Sequence, residues 1–415
     1  MSTVCVVGLG YIGLPVASML ASRGHEVIGY DINEAAVRSI NQGVSHFFEP
    51  DLDMLLEASV QTGRLRAQSE PSKAEFYVLA VPTPLTDEHK PDLSYVMAAT
   101  EAIASFLDRG ATVILESTSP VGTTERINAR LAELRPDLKF AQYGVDTDGA
   151  DVAIAHCPER ILPGHMLREL VNNDRIVGGM TGKCSEAAAR LYRTFVTGDI
   201  FMTDCRTAEF VKLVENSYRD VNIAFANELS MISERLGVDV WSAIKLANRH
   251  PRVSILNPGA GVGGHCIAVD PWFIVDSAPE ESRIIKAARI VNDGKALFVV
   301  DKVKQHAARF RQPVIACYGL TYKPDVEDLR ESPALEIAEE LAEIDSALIK
   351  ICDPWIKELP RKLADNDRVE LVDAEQAREA CDIAVFLVGH SQFKGLDQRR
   401  FINKVVVDAI GLFAR

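Results

Sequence analysis

The chain has no cysteine pair at CxxC spacing and no His/Cys cluster spaced for zinc, although it carries eight cysteines. A structural zinc site is thereby excluded and no metal is expected. Thiols scattered through 415 residues are read as reduced side chains of a cytoplasmic protein. Basic residues are in deficit, with 45 Lys and Arg against 59 Asp and Glu and a formal net charge of -14. That balance excludes broad electrostatic binding to nucleic acid or to an anionic membrane, while leaving room for a local basic pocket. Internal repeats, low-complexity tracts and long linkers are also missing. The apolar run 4–21 lacks the basic start of a signal peptide, and its glycines at 8, 10 and 13 do not suit a membrane span.

What is present is an alternation of short β-branched runs with helical stretches. Runs at 3–8, 25–30, 75–81, 111–116 and 152–157 predict a parallel sheet with crossover helices. A long helix is expected over 207–236 and a second helical region over 281–310. From Pro313 the alternation restarts, with strands expected at 314–318, 348–352, 383–388 and 404–408. The expected fold class is α/β, two Rossmann-like doubly wound domains joined by a central helical region. The expected domains are 1–200 for a dinucleotide, 201–310 for helices and dimerisation, and 311–415 for a second nucleotide-type ligand.

The run Val4-Cys-Val-Val-Gly8-Leu-Gly10-Tyr11-Ile12-Gly13 has GxGxxG spacing between a strand and a helix. Its glycines allow a tight turn, close backbone approach to a pyrophosphate and helix-on-strand packing. The helix N-terminus favours the phosphate charge. The next strand ends in Asp31, whose carboxylate accepts from a ribose diol and repels a 2′-phosphate, so NAD is expected as cofactor. Thr83 and Thr118 lie in Thr/Pro loops after two further strands, at the edge where ligands of such sheets bind.

The stretch Gly259-Ala-Gly261-Val-Gly263-Gly264-His265-Cys266-Ile-Ala-Val-Asp270-Pro271 is the densest in chemistry. Its glycines suggest a backbone closely approached by a ligand. Cys266 stands where a helix can begin, which lowers a thiol's pKa, and Asp270 follows one turn later. Lys212, Asn216 and Arg219 form a polar stripe at i, i+4 and i+7 of the long helix. Phe210, Leu213, Val214, Tyr218 and Val221 make that helix apolar around much of its circumference, and it is expected to be largely buried. A buried lysine with an amide one turn away suits proton transfer or oxyanion stabilisation. Glu159 and Arg160 follow a strand, while His250 and Arg252 precede the glycine loop, both pairs placed to meet substrate.

Together the segments GLGYIGLP (8–15), VPTP (81–84), ESTSPVGTTE (116–125), CPERILPG (157–164) and KLVENSYRDVNIAFANELS (212–230) resemble one family. ANRHPRVSILNPGAGVGGHCIAVDPWF (247–273) and GLTYKPDVEDLRESPA (319–334) complete the set, in order along the whole chain. The family they resemble is the UDP-glucose/UDP-mannose dehydrogenases, and the resemblance is closest to the branch acting on UDP-N-acetyl-D-mannosamine. The resemblance implies NAD-dependent four-electron oxidation of a UDP-sugar to the acid, a precursor for surface polysaccharide. It implies that Cys266 forms a thiohemiacetal and then a thioester. Lys212 and Asn216 would handle proton and oxyanion charge, with Asp270 and Glu159 as alternatives for activating water. Arg160, Ile161, Arg219, His250, Arg252, Gly263, Tyr322 and Lys323 would line the sugar-nucleotide site, and Arg330 would reach toward the cofactor. A homodimer or higher homo-oligomer through the central helices is implied too.

Two rival readings make different demands. A β-hydroxyacid dehydrogenase of the 6-phosphogluconate type has no second nucleotide domain and no use for a nucleophilic cysteine. A non-catalytic nucleotide-sugar sensor would have no need of Cys266, Lys212 and Asp270.

Overall fold

The computed structural model describes residues 1–145, 149–162, 164–264 and 266–414; of the motif residues, Pro163 and His265 lie outside this set. The chain separates into two compact units, Met1–Glu215 and Asn216–Arg415.

The first unit is built on eight strands: β1 (Thr3–Val7), β2 (Glu26–Tyr30), β3 (Leu65–Gln68), β4 (Phe76–Leu79), β5 (Thr112–Leu115), β6 (Ala153–His156), β7 (Arg175–Gly179) and β8 (Ile200–Asp204). Their order across the sheet is β3-β2-β1-β4-β5-β6-β7-β8. Alternate residues of β1 explain its unbroken apolar run. Val4 and Val6 enter a core with Leu14 and Leu20, while Cys5 and Val7 enter another with Tyr77 and Ile103. A sheet covered on both faces requires that pattern, and each aliphatic side chain fully buried contributes about 1.5–3 kcal/mol.

Pairing is parallel except between β6 and β7, which run antiparallel. The loop after β6 and the short helix Met166–Asn172 return the chain at the same end of the sheet instead of crossing it. Arg175, the first residue of β7, is thereby brought beside Glu116, which follows β5.

The second unit carries β9 (Val314–Tyr318), β10 (Leu348–Cys352), β11 (Val369–Leu371), β12 (Ile383–Phe386) and β13 (Val405–Asp408). The sheet is parallel throughout, in the order β11-β10-β9-β12-β13. It too has a core on each face, with Ile315 and Cys317 on one side and Ala316 and Tyr318 on the other. The architecture is therefore α/β, two doubly wound sheets with helices between them in the chain.

The long helix spans Cys205–Leu236 and the second central helix Arg283–Ala307. The expectation that the long helix is largely buried needs correction. Lys212 and Leu213 are buried, yet Phe210, Val214 and Tyr218 are 49%, 41% and 70% exposed. Phe225, Ile232 and Leu236 extend the exposed set along one side of the same helix. The buried face mixes Ala208, Leu213 and Ala224 with Glu209, Lys212, Asp220 and Asn227, and the larger apolar side chains stand on the exposed side.

Candidate functional site

The glycine turn after β1 is shaped by close approach. Gly8 has φ +88, and a Cβ there would stand 2.6 Å from the Ala80 carbonyl oxygen. A Cβ on Gly13 would stand 1.8 Å from the Gly8 oxygen, so the helix Gly13–Ser22 packs directly on the turn. At Gly10 a Cβ would meet nothing within 4 Å, so bare backbone faces open space there.

Asp31 closes the turn. Its Oδ2 accepts from the Leu9 N–H at 2.8 Å and its Oδ1 from the Asn33 N–H at 2.8 Å. A carboxylate has lone pairs beyond these two bonds, and Asp31 remains part-exposed to use them. Tyr11 stacks on Phe47 at 4.3 Å, and Ile12 is the residue before the helix. The Thr83 hydroxyl donates to the Thr118 carbonyl at 2.7 Å, joining the loops after β4 and β5. All of these lie where the strand order reverses between β1 and β4, the position at which dinucleotides bind. Bare backbone at a helix N-terminus, plus an anchored carboxylate, fits NAD. Asp31→Ala is expected to weaken NAD binding about tenfold to hundredfold. Isothermal titration with NADH would check this, and an unchanged affinity would remove Asp31 from the site.

Beyond the ends of β5 and β6 lies a buried polar cluster. Glu159 is 9% exposed and Lys212, from the long helix, 7%. The Glu159 carboxylate accepts from the Ile161 N–H. Burial pushes the proton affinity of Glu159 up, and the charges of Lys212 and Arg175 oppose that rise. Arg160 is held by Glu215 at 2.7 Å and by the Asp174 carbonyl at 3.1 Å. Glu209, one turn before Lys212, accepts from the Gly122 and Thr124 N–H groups at 2.6 and 2.7 Å, fixing the loop that follows Thr118.

Glu116 and Arg175 were not singled out in the sequence. They pair at 3.9 Å with both side chains buried, and the Tyr192 hydroxyl donates to Glu116 at 3.0 Å. Burial pushes the Glu116 carboxyl up to about 7 against the pull of Arg175. Arg175 stands alone in the sequence at the start of a strand with two glycines, and no spacing signals it.

In the second unit, Cys266 is exposed while the other seven cysteines are buried. Its carbonyl accepts from the Asp270 N–H at 2.8 Å, placing the thiol residue one turn ahead of the helix Asp270–Ser277. The Asp270 side chain is buried and its Oδ2 accepts from Asn216 Nδ2 at 2.5 Å. Asn216, Asp270 and Cys266 are therefore one local assembly. A Cβ on Gly263 would lie 2.4 Å from the Glu331 oxygen, and one on Gly264 2.8 Å from the Tyr322 ring. Glycine here lets the Cys266 loop lie against 322–331.

A cavity of about 510 Å³ opens beside this loop, lined by Tyr322, Lys323, Gly389, Lys394, Asn257 and Leu412 among others. It sits at the carboxyl ends of β9, β12 and β13, again at a reversal of strand order. Lys394 and Asn257 were missed in the sequence: Lys394 belongs to no motif, and Asn257, inside the segment 247–273, was passed over for the glycines and cysteine that follow it. Arg330 pairs with Asp328 at 2.7 Å. Arg219, His250 and Arg252 are exposed, and His250 Nδ1 accepts from the Arg252 N–H at 3.3 Å.

The second sheet repeats the first with one difference. Asp353, after β10, holds the Leu320 N–H at 2.7 Å as Asp31 holds Leu9. Asp353 is buried, however, and its Oδ2 is also engaged by His390 Nε2 at 3.1 Å. A ribose has no access to it.

Among the described residues, no group of three or more metal-ligating side chains gathers, and no helix is long and apolar enough to cross a membrane.

Comparison with known proteins matches three family segments: the NAD-binding domain of the UDP-glucose/GDP-mannose dehydrogenases at residues 2–196, the central domain at 206–294 and the UDP-binding domain at 316–415. The chain is 58% identical over 413 residues to an NDP-N-acetyl-D-galactosaminuronic acid dehydrogenase of Ralstonia nicotianae, covering 99% of this chain and 96% of that one. It is 54% identical over 391 residues to a UDP-N-acetyl-D-mannosamine dehydrogenase of Campylobacter jejuni, covering 94% and 96%. A solved UDP-D-ManNAc dehydrogenase from Pyrococcus horikoshii superposes with a TM-score of 0.88 at 38% identity, covering 99% of this chain and 96% of that one. With a cofactor turn that fits NAD, a second nucleotide-type sheet and these relatives, the chain belongs to the UDP-glucose/GDP-mannose dehydrogenase family and is an NAD-dependent UDP-sugar dehydrogenase.

Proposed function

We propose that the chain oxidises the C6 alcohol of UDP-N-acetyl-D-mannosamine to the carboxylate, with Cys266 as covalent nucleophile. The observation that carries this reading is the local assembly around Cys266, an exposed thiol one turn from a buried Asp270 that is oriented by Asn216. NAD, when bound at the first glycine turn, accepts a hydride at each of two oxidations. Between them the Cys266 sulfur adds to the aldehyde carbon, and the carbonyl oxygen takes a proton to give a thiohemiacetal. Oxidation of that adduct leaves a thioester. Water adds to the thioester carbon and the C–S bond breaks, releasing the acid and returning the thiol. Covalent capture removes the need to release a reactive aldehyde.

Lys212 and Asn216 serve the proton and oxyanion charge at the reacting carbon, and Glu159 or Asp270 activates the water. Thr118 and Thr83 border the cofactor, with Arg330 toward it. Tyr322, Lys323 and Lys394 receive the UDP part in the cavity at the β9/β12 reversal, a basic rim suited to a diphosphate. Arg160, Ile161, Arg219, His250, Arg252 and Gly263 complete the sugar-nucleotide site. The three-part division at residues 200 and 310 and a cytoplasmic location belong to this reading. So does a homodimer that covers the exposed side of the long helix, since an apolar stripe of that length marks an interface.

A second reading keeps the chemistry and changes the sugar. The relative with 58% identity is named for N-acetyl-D-galactosaminuronic acid, which favours UDP-N-acetylgalactosamine as the alternative. The test is NADH formed per sugar consumed, with UDP-N-acetylmannosamine, UDP-N-acetylgalactosamine and UDP-glucose in parallel, on protein whose mass is measured by light scattering. Two NADH with the manno sugar alone is the expected result. Two with the galacto sugar alone would move the substrate to the second reading. One NADH per sugar would remove the thioester route, and a monomeric mass would remove the dimer.

A further inference from the structure

The nucleophile loop is held at both ends by one buried chain of hydrogen bonds. At its start, the Gly259 N–H donates to Asn227 Oδ1 at 2.8 Å. Asn227 Nδ2 donates to Asn292 Oδ1 at 2.9 Å, and Asn292 Nδ2 donates to Asp220 Oδ1 at 2.8 Å. Arg289 donates to the same Asp220 oxygen at 2.6 Å and to the Ile267 carbonyl at 3.4 Å. Ile267 directly follows Cys266. Asp220 and Asn227 come from the long helix, Arg289 and Asn292 from Arg283–Ala307, and none of the four is more than 1% exposed.

Donors and acceptors in this chain have a fixed order. Asp220 accepts from two donors, so the Asn292 amide must turn its NH₂ toward it and its oxygen toward Asn227. Asn227 must then turn its own NH₂ toward Asn292, which leaves its oxygen for Gly259. The orientation of the last acceptor, Asn227 Oδ1, is thus set two side chains away, at Asp220. Asp220 Oδ2 and Arg289 Nε take no part in the chain, but each link named above is made between buried groups, where low dielectric strengthens a hydrogen bond and stiffens what it holds. A nucleophile displaced by about 1 Å can lose about a hundredfold in rate.

We infer that Asp220, Asn292, Asn227 and Arg289 are positioning residues that fix the backbone on both sides of Cys266 for the covalent step. The inference rests on the reading of Cys266 as nucleophile. It is tested on the full-length enzyme with Asn292→Asp, which preserves shape but sets a carboxylate against Asp220. The double variant Asp220→Asn/Asn292→Asp restores a donor facing an acceptor between positions 220 and 292, while turning an N–H toward Arg289, which shares that oxygen in the wild type. Asn227→Ala removes only the last link and serves as a milder variant should Asn292→Asp not fold.

The readouts are kcat, KM, NADH affinity as a control on the first unit, and the pH midpoint of Cys266 alkylation by iodoacetamide, located by mass spectrometry. Asn292→Asp and Asn227→Ala are expected to lower kcat by about tenfold or more and to raise the alkylation midpoint, with NADH affinity unchanged. The double variant should recover part of both, since it restores the link between positions 220 and 292 and not the one to Arg289. A lowered melting temperature with wild-type kcat and alkylation midpoint, or no recovery in the double variant, would overturn the relay. Cys266→Ala separates the two claims. If that variant still makes acid, the nucleophile reading fails; if it makes none while the relay variants behave as wild type, the relay alone fails.

Discussion

Cys266→Ala is expected to make no detectable UDP-sugar acid. Among the eight cysteines it is the one thiol that solvent reaches, and it stands one turn from an Asp270 oriented by Asn216. On the proposed route the loss is on the order of 10⁴-fold or more, because the thiohemiacetal and thioester would have no other atom to form on. The measurement is acid by chromatography together with NADH by absorbance. Cys266→Ser separates the rival chemistry: a two-electron hydroxyacid-type enzyme would keep most of its activity with serine. Ordinary acid yields from the alanine variant would end the thioester mechanism.

Lys212→Met should have the next largest effect, a fall in kcat of about 10²–10⁴-fold, while NADH binding is retained. The lysine is 7% exposed and shares its buried surroundings with Glu159. Methionine keeps the length and apolar stem but removes the ammonium, so the helix packing survives and the proposed proton carrier does not. Loss of the ammonium also leaves Glu159 with Arg175 as its main compensating charge against burial. The two effects act in the same direction. A steady-state rate within about threefold of wild type would show that the proton moves elsewhere.

Much of the fold was legible because its strands are buried on both faces. The runs expected at 25–30 and 314–318 became β2 and β9 with little change. Edges were less visible. β3 alternates Leu65 and Ala67 with Arg66 and Gln68, and β7 ends in two glycines, so neither has the apolar density of a central strand. The antiparallel return into β7 has no local signal at all. Arg175 went unseen for that reason, since its partner Glu116 is distant in sequence and close only through the order of strands.

Near Cys266 the legible part was the helical spacing of Asn216 and the one-turn offset to Asp270. The relay through Asn227 and Asn292 was not legible, because helices far apart in sequence supply its links and each residue alone is an ordinary amide. The long helix misled in the opposite direction. Apolar residues around its circumference predicted burial within the chain, yet Tyr218, Phe225 and Leu236 remain exposed on one side. Periodicity reports that a side of a helix is apolar, not that the chain folds over it.

The pair Asp353–His390 has a consequence for how two nucleotides share one polypeptide. A chain with two sheets of the same architecture is open to confusion, since each offers a glycine turn followed by an acid at the end of the second strand. In the first sheet that acid keeps a face toward solvent; in the second, His390 occupies it. A ribose diol that recognises the one finds no counterpart in the other. The uridine of a sugar nucleotide carries the same diol, so with Asp353 buried against His390 its ribose has to be held at the second sheet by groups other than the acid that ends the second strand.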